Sequence, residues 1–520
     1  MTDPIELAQN AAGRMVPTMV NGKPQLPYLG VGKYQPRGRK AAPAIFSAKD
    51  YPENGDKRVP DLETALRQCG LRDGMVISNH HHLRDGDAVA LMALEAAARI
   101  GVKNLMWFPS ASFPSQEGAI QLMEKRVIHH IEGSMNGPLG DYCTQGKMRG
   151  MGVLRSHGGR WQAIQDGEVH IDIAVIAAPT ADPFGNADGS HGKSACGSLG
   201  FALADSMYAD RVIVVTDHLV PFPCIPWQIQ GNYVDYVVEV DSIGDPTKIV
   251  SGTTEITRSP DRQRIAEFVA RFLRETGIMR NGFSFQAGAG GIALAFVDYL
   301  RRMMKEDGVK ARFVRGGSTK FLVELLHEGL TDYILDGQTF DLAGVESIAS
   351  HPQHVATSPF TSYNYHGKGN FAAMVDAVVL GATEVDVNFN ANVVTHSDGR
   401  LLHGIGGWQN CLAAGCAILA VPSFRDRIPV IVDQVTTLTG PGELIDVVAT
   451  ERGIAINPRR QDLLDAVKNS KLPIRPIQDI QAEVEKICGG KPARPRLSDH
   501  PVAIVKWVDG TVLDSVWQVG

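Results

Sequence analysis

The sequence predicts an α/β protein built as two tandem domains of one internally duplicated fold, with mainly parallel sheets. Its 520 residues give room for two large α/β domains. Short β-prone runs alternate with Ala- and Leu-rich stretches of helical length, the β-α-β spacing that makes neighbouring strands parallel. The chain also matches itself. Leu71-Arg72-Asp73-Gly74 corresponds to Met279-Arg280-Asn281-Gly282, and Gly101-Val102-Lys103 to Gly308-Val309-Lys310 at nearly the same offset. Each pair brackets a strand and an Ala-rich helix. The strands Val212 to Thr216 and Ile418 to Val421 pair in the same way, and the spacing from Asp172 to Gly185 repeats from Asp386 to Gly399.

Composition narrows the function classes. With 44% hydrophobic and 21% charged residues the chain is an ordinary globular one that can bury sizeable cores. A net charge of -6 leaves no concentrated basic face to neutralise phosphates, so no nucleic-acid partner is expected. The seven cysteines are scattered and include no C-x-x-C pair, a pattern of unpaired thiols in a reducing cytoplasm. The first residues lack a basic region followed by an apolar core, and no apolar run is long enough to span a bilayer. A cytoplasmic location with no membrane partner follows as the expectation.

Residues 1–58 read as an N-terminal arm rich in proline and glycine, with a basic patch at Lys33, Arg37, Arg39 and Lys40. Such an arm wraps its own surface or a neighbouring subunit, and the patch would suit an acidic protein. The first domain spans 59–259. Asp61 caps a helix through Ala65 and Leu66 to Gly70, a strand follows over Met75 to Ser78, and an Ala/Leu-rich helix runs from Asp87 to Ile100 before a strand at Asn104 to Phe108. The second domain spans 260–488, from the Ser259-Pro260 join and an amphipathic helix over Arg262 to Glu275 to a helix over Ile480 to Ile487. Residues 489–520 form a linker and a β-hairpin turning at Asp509-Gly510, which should close a sheet edge or an interface.

The chemistry concentrates on Glu384 to Gly415. An apolar β-prone run headed by Asp386 turns at Ser397-Asp398-Gly399 and reaches Gly404-Ile405-Gly406-Gly407 before an Ala-rich segment of helical character. Glycines at the end of a strand let backbone N–H groups converge with no Cβ in the way, which suits an anionic oxygen. Gly288-Ala289-Gly290-Gly291 offers a second such loop at a strand–helix junction, without the G-x-G-x-x-G spacing of a dinucleotide site. Asn410 follows the first loop as a side-chain donor or a helix cap. Asp182 and Asp398 read as turn residues.

The order Asp172, then Ala181-Asp182-Pro183-Phe184-Gly185-Asn186, then Gly231-Asn232-Tyr233-Val234-Asp235 resembles the α-type half of the coenzyme A transferases. Gly288 to Gly291, Ser397-Asp398-Gly399 and Gly404 to Gly407 resemble the β-type half. Both CoA-transferase-like halves in one chain, with arm and tail, resemble the citrate lyase α-subunit family over nearly the whole length. That resemblance implies transfer of a thiol carrier between carboxylates, in which an acetyl thioester and citrate give a citryl thioester and acetate. The donor would be acetyl-CoA or the phosphoribosyl-dephospho-CoA arm of an acyl carrier (gamma) subunit. A citryl-lyase (beta) subunit would be a further partner, and a homo-oligomer is expected. The citramalate lyase α subunit and short-chain acyl-CoA:acetate transferases share the pattern, and the fold also serves sugar-phosphate isomerases and ligand-sensing modules.

A carboxylate attacking a thioester is already an anion, so the reaction needs oxyanion donors and placement rather than a strong base. Gly406, Gly407 and Asn410 are the catalytic candidates, with Gly288, Gly290, Gly291, Gly404 and Ile405 cradling the thioester carrier. Many coenzyme A transferases carry a nucleophilic glutamate in the region here spanning Thr357 to Lys368, yet no acidic residue lies between Glu346 and Asp376. Direct attack through a mixed anhydride is therefore the expected route. Three carboxylates call for cationic and amide donors: His80 and His82, Arg155 and Arg160 with Arg149 nearby, and Tyr363, Asn364 and His366. No metal is expected, because consecutive histidines on an extended segment cannot share one ligand sphere.

Overall fold

The computed structural model of the chain describes residues 5–34, 43, 52, 54–249, 255–364 and 369–520. Arg37, Arg39, Lys40 and His366 lie outside the described residues. Two large sheets dominate. The first has seven strands, all parallel, in the order Ile128–Ile131, Leu105–Pro109, Val76–Asn79, Ile173–Ala178, Arg211–Thr216, Tyr236–Glu239, Arg58–Val59. The second has eight, in the order His354–Ala356, Ile334–Thr339, Phe313–Ser318, Ser284–Ala287, Ala377–Leu380, Ala417–Ala420, Val447–Thr450, Gly453–Ile456. Only its last pair is antiparallel. The α/β class with mainly parallel sheets is as the sequence predicts, and the two sheets share the order of their central strands.

That order fixes where a site can sit. In both sheets the winding direction reverses between two neighbours, Val76–Asn79 with Ile173–Ala178 and Ser284–Ala287 with Ala377–Leu380. Loops leaving carboxyl ends at such a point diverge and open a crevice. His80 leaves the first switch point and Gly288 the second.

Local chemistry sets the elements. Asp61 accepts the Thr64 N–H at 2.7 Å and starts the helix Leu62–Gln68, and Ser259 starts Pro260–Glu275. The helix Val89–Ile100 stops at Gly101, whose φ of 96° only glycine takes without cost. Two matched positions differ from the sequence reading. Asp172 accepts the Val76 N–H at 2.7 Å, and Asp376, rather than Asp386, makes the corresponding bond to Ser284 N–H at 2.8 Å. Asp386 instead matches Asp182. Each carboxylate gathers the N–H groups of its own turn and is held by an asparagine, Asn390 at 3.0 Å and Asn186 at 2.8 Å. The run headed by Asp386 is thus not one strand: the strand Glu384–Asp386 ends there, the chain turns through Phe389 at φ 67°, and Ala391–Asn392 pairs back on it antiparallel.

A single apolar core joins the halves. Ile173 to Ala178 and Trp161 of the first half belong to one buried cluster with Val378, Leu380, Val394 and Trp408 of the second. A separate cluster fills the outer face of the second sheet beneath the helices Pro260–Glu275 and Gly291–Asp307. The C-terminal hairpin, Leu497–Lys506 with Val512–Val519, joins neither large sheet and pairs in parallel with Gly152–Leu154. Part of the arm wraps this hairpin, with Asn10 Nδ2 donating to the carbonyls of Val512 and Leu513 at 3.0 and 2.7 Å.

The halves approach closely at Gly200, where a Cβ would overlap the carbonyl oxygen of Thr357 across the seam. Gly200→Ala is expected to cost about 1–3 kcal/mol by overpacking, read as a lower denaturant midpoint. Gly337→Ala, whose Cβ would meet only Thr357 Oγ1 at 3.7 Å, should leave that midpoint nearly unchanged.

Candidate active site

The seam is stitched by backbone groups of a helix start. Ser156 caps the helix His157–Gln165 through the Gly159 N–H at 3.0 Å. The two N–H groups before it are taken up by the second half: His157 donates to the Gly406 carbonyl at 2.8 Å and Gly158 to Asn410 Oδ1 at 3.0 Å. Asn410 is therefore a helix cap, but for a helix in the other half. Its Nδ2 group makes no bond among the described residues.

The loop Gly404–Gly407 bends over this junction. Gly404 donates to Ser134 Oγ at 3.1 Å, and Gly406 sits at φ 62°. The N–H groups of Gly406 and Gly407 have no protein acceptor among the described residues. A Cβ at Gly407 would lie 2.6 Å from the Tyr363 hydroxyl, so only glycine leaves this surface open. The second loop is equally bare. Gly288 donates to Val379 O at 3.2 Å, whereas Gly290 caps the 17-residue helix Gly291–Asp307 with open space where its Cβ would be. N–H groups at that end carry the positive pole of the helix dipole. Gln286, two residues before Gly288, donates to Cys411 Sγ at 2.9 Å in the short helix Trp408–Cys411, linking the loops.

A layer of imidazoles faces this loop from the first half. His81 stacks on His157 at 5.5 Å, and Phe201 lies edge-on to His157 at 4.5 Å. His81 is fixed by Ser110 Oγ at 2.6 Å and, across the seam, by Gln338 Oε1 at 3.0 Å. Burial, reinforced by the charge of Arg160, pulls the His157 pKa down to about 3, and burial first, then the neighbouring His157, His82 and Arg84, pushes His81 well below its usual range. Both rings are neutral near pH 7 and act as hydrogen-bonding groups rather than cations.

The cationic candidates read from the sequence are engaged elsewhere. Arg160 forms a bidentate pair with Asp205 at 2.6 and 2.7 Å and lies over the Phe108 ring. His80 joins the same carboxylate at 3.0 Å. His82 stacks on His80 at 5.7 Å, so the two share one side as an extended segment predicts, but they face this buried pair. Arg155 bridges Glu132 and Glu168, each at 2.8 Å, and Arg149 bonds Asn104 at 2.7 Å. Asn364 is buried beside Tyr363. The structure thus brings together Gly404 to Gly407, Asn410 and Tyr363. It sets His80, His82, Arg155 and Arg160 in the supporting core of the first half. His81, His157, Gln286, Arg315 and Gln338 were not singled out from the sequence. His81 alone carried a signal, as the middle of the triplet His80-His81-His82, whereas Arg315 between Val314 and Gly316-Gly317 carried none.

Fold and site together define a parallel α/β protein of two large sheets with amide-rich loops at the seam between its halves, a fold it shares with a Pseudomonas malonate decarboxylase (19% identity, TM-score 0.62, 85% of this chain and 95% of that one). The family model for citrate lyase, alpha subunit (CitF) matches residues 55–519, and the chain belongs to that family. It is 38% identical to the citrate lyase alpha chain of Haemophilus influenzae over 465 residues, 89% of this chain and 93% of the relative. With the Klebsiella pneumoniae chain it shares 38% over 496 residues, 95% and 96% of the two. A crystal structure of the alpha subunit of citrate lyase from Streptococcus mutans in complex with citrate matches at TM-score 0.94 and 38% identity, covering 98% of this chain and 100% of that one.

Two measurements follow. Burial alone would raise the Glu132 carboxyl, but Arg155 and then His130 bring it down to about 2. A depressed folded-state pKa means stability present above the unfolded value of about 4.5 and lost as pH falls toward 2. Glu132→Gln should flatten the thermal-midpoint profile in that window. Asn410→Ala should lower stability by about 1 kcal/mol through the lost cap, seen as a lower unfolding midpoint.

Proposed function

We propose that the chain is the transferase component of a citrate lyase, exchanging acetate for citrate on an acyl-carrier thioester. The observation that supports this best is the pair of glycine loops with free N–H groups at a seam whose buried imidazoles are neutral. Such a site has oxyanion donors and no strong base. Family membership and the citrate held by the Streptococcus mutans relative favour citrate as the acid.

In this reading a citrate carboxylate oxygen attacks the acetyl thioester carbonyl. The carbonyl π pair moves to oxygen, and the oxyanion is met by the N–H groups of Gly406 and Gly407 with the free Nδ2 of Asn410. Collapse expels the carrier thiolate and leaves a citric–acetic anhydride. The thiolate then attacks the citryl carbonyl, and the second collapse releases acetate. No proton needs to move in either half, which matches a site of neutral histidines. Each well-aimed donor lowers the barrier by about 3 kcal/mol. The carrier is acetyl-CoA or the phosphoribosyl-dephospho-CoA arm of the acyl carrier subunit, and the citryl-lyase subunit consumes the product. The segment Thr357 to Lys368 holds no carboxylate, which favours the ternary-complex route over a glutamyl thioester.

The test is a transfer assay with radiolabelled citrate and acetyl-CoA, run beside citramalate and butyrate. Citryl-thioester formation preferred over the other acids is expected, with no borohydride-trapped glutamyl adduct. Turnover of butyrate but not citrate, or a trapped adduct, would overturn the substrate or the route respectively. Gly407→Ala, which fills the cradle, should cut kcat about 100-fold while leaving the unfolding midpoint within a few degrees.

A further inference from the structure

Arg315 is buried to 1% exposure in the middle of the strand Phe313–Ser318, yet no carboxylate pairs with it among the described residues. Among the described residues its one hydrogen bond runs from Nη1 to Gln286 Oε1 at 2.9 Å, and its Nε has no partner. The Tyr363 ring lies 4.7 Å from the guanidinium carbon. The nearest acid on the adjoining strand, Asp336, registers against Gly316 and so points to the opposite face, where it meets His354 and Thr339. Gln286 is uncharged. Burial and the neighbouring Cys411 push the Tyr363 phenol up to about 12, and burial raises the Cys411 thiol, so these neighbours are neutral as well.

A buried guanidinium with an open donor edge and no anion is costly unless an anion arrives. The other buried arginines of the site region show the contrast, since Arg155 and Arg160 are each met by carboxylates. The place is also contiguous with the cradle. Arg315 stacks under Tyr363, the Tyr363 hydroxyl borders Gly407, and Gln286 bridges Arg315 to Cys411 at the foot of the 404–407 loop.

We propose that Arg315 binds a carboxylate of the acid substrate, and specifically one that does not react. This rests on the transferase reading and adds the origin of its substrate class. An attacking carboxylate held in a bidentate guanidinium pair would have its lone pairs engaged and lose nucleophilicity. A monocarboxylic acid would offer Arg315 its only carboxylate. An acid with several carboxylates can anchor one there and present another to the thioester. Arg315 therefore selects polycarboxylates, and Tyr363 holds its guanidinium plane.

The experiment compares wild type, Arg315→Gln and Arg315→Lys in the full chain, each first verified as folded by circular dichroism. In the transfer assay Arg315→Gln should raise the KM for citrate about 10- to 100-fold, the loss of one charge-assisted pair. The KM for acetyl-CoA should stay within about twofold, and the preference for citrate over butyrate should collapse. Arg315→Lys, which keeps the charge but not the fork, should fall between. A folded variant with citrate KM and acid preference unchanged overturns the proposal, and should Arg315→Gln fail to fold, an unchanged Arg315→Lys does so. Calorimetric titration of citrate into wild type and variant separates the two readings. Citrate heat lost with Arg315 in a protein that transfers no acyl group would sink the transferase reading and keep the site. Transfer with undiminished citrate binding in the variant would do the reverse.

Discussion

The start of the helix His157–Gln165 cannot be completed by its own half of the chain. Its leading N–H groups are closed by the Gly406 carbonyl and the Asn410 amide from the other half. A helix end buried without acceptors is costly, so the halves must dock in the one register that supplies them. The same docking engages the Gly406 carbonyl and leaves the N–H groups of Gly406 and Gly407 without an acceptor among the described residues. Position of the cradle and pairing of the halves are thus one constraint.

Behind that junction sits a second polar arrangement. Asp205 collects Arg160, His80 and Ser78 in a fully buried cluster. Burial would raise the Asp205 carboxyl, but Arg160 and then His80 hold it well below the usual range. Buried charges need such partners to persist in a core. The cluster anchors both the segment that carries the histidine triplet and the helix that meets the loop. Arg160 and His80 thereby shape the site from within the core of the first half. The neutral state of His81 and His157 follows from the same burial, and it suits a reaction whose nucleophile arrives already charged.

Much of the fold was legible in the residues. β-α-β spacing, the cap at Asp61 and the helix ends at Ile100 and Glu275 are local features whose physics acts within a few residues, and each appears where the sequence predicts it. Spacing alone matched Asp172 to Asp386, because a turn carboxylate and a strand-head carboxylate look alike in one dimension. Hydrogen bonds to Val76 and Ser284 identify Asp376 instead. The site was half legible. Glycine loops betray themselves by composition, whereas the destination of an arginine does not, since Arg155, Arg160 and Arg315 differ only in which carboxylates the folded chain brings to them.

The sequence by itself determined the α/β class, the succession of elements and the glycine loops, because periodicity, capping and backbone freedom are properties of neighbouring residues. Only the tertiary structure decided which groups are spent on the fold and which remain free. Arg160 has Asp205, Asn410 has the Gly158 N–H, and the N–H groups of Gly406 and Gly407 have no acceptor among the described residues. Those pairings join residues far apart in the chain, and burial sets their charge states. Neither can be read until the two halves have closed on each other.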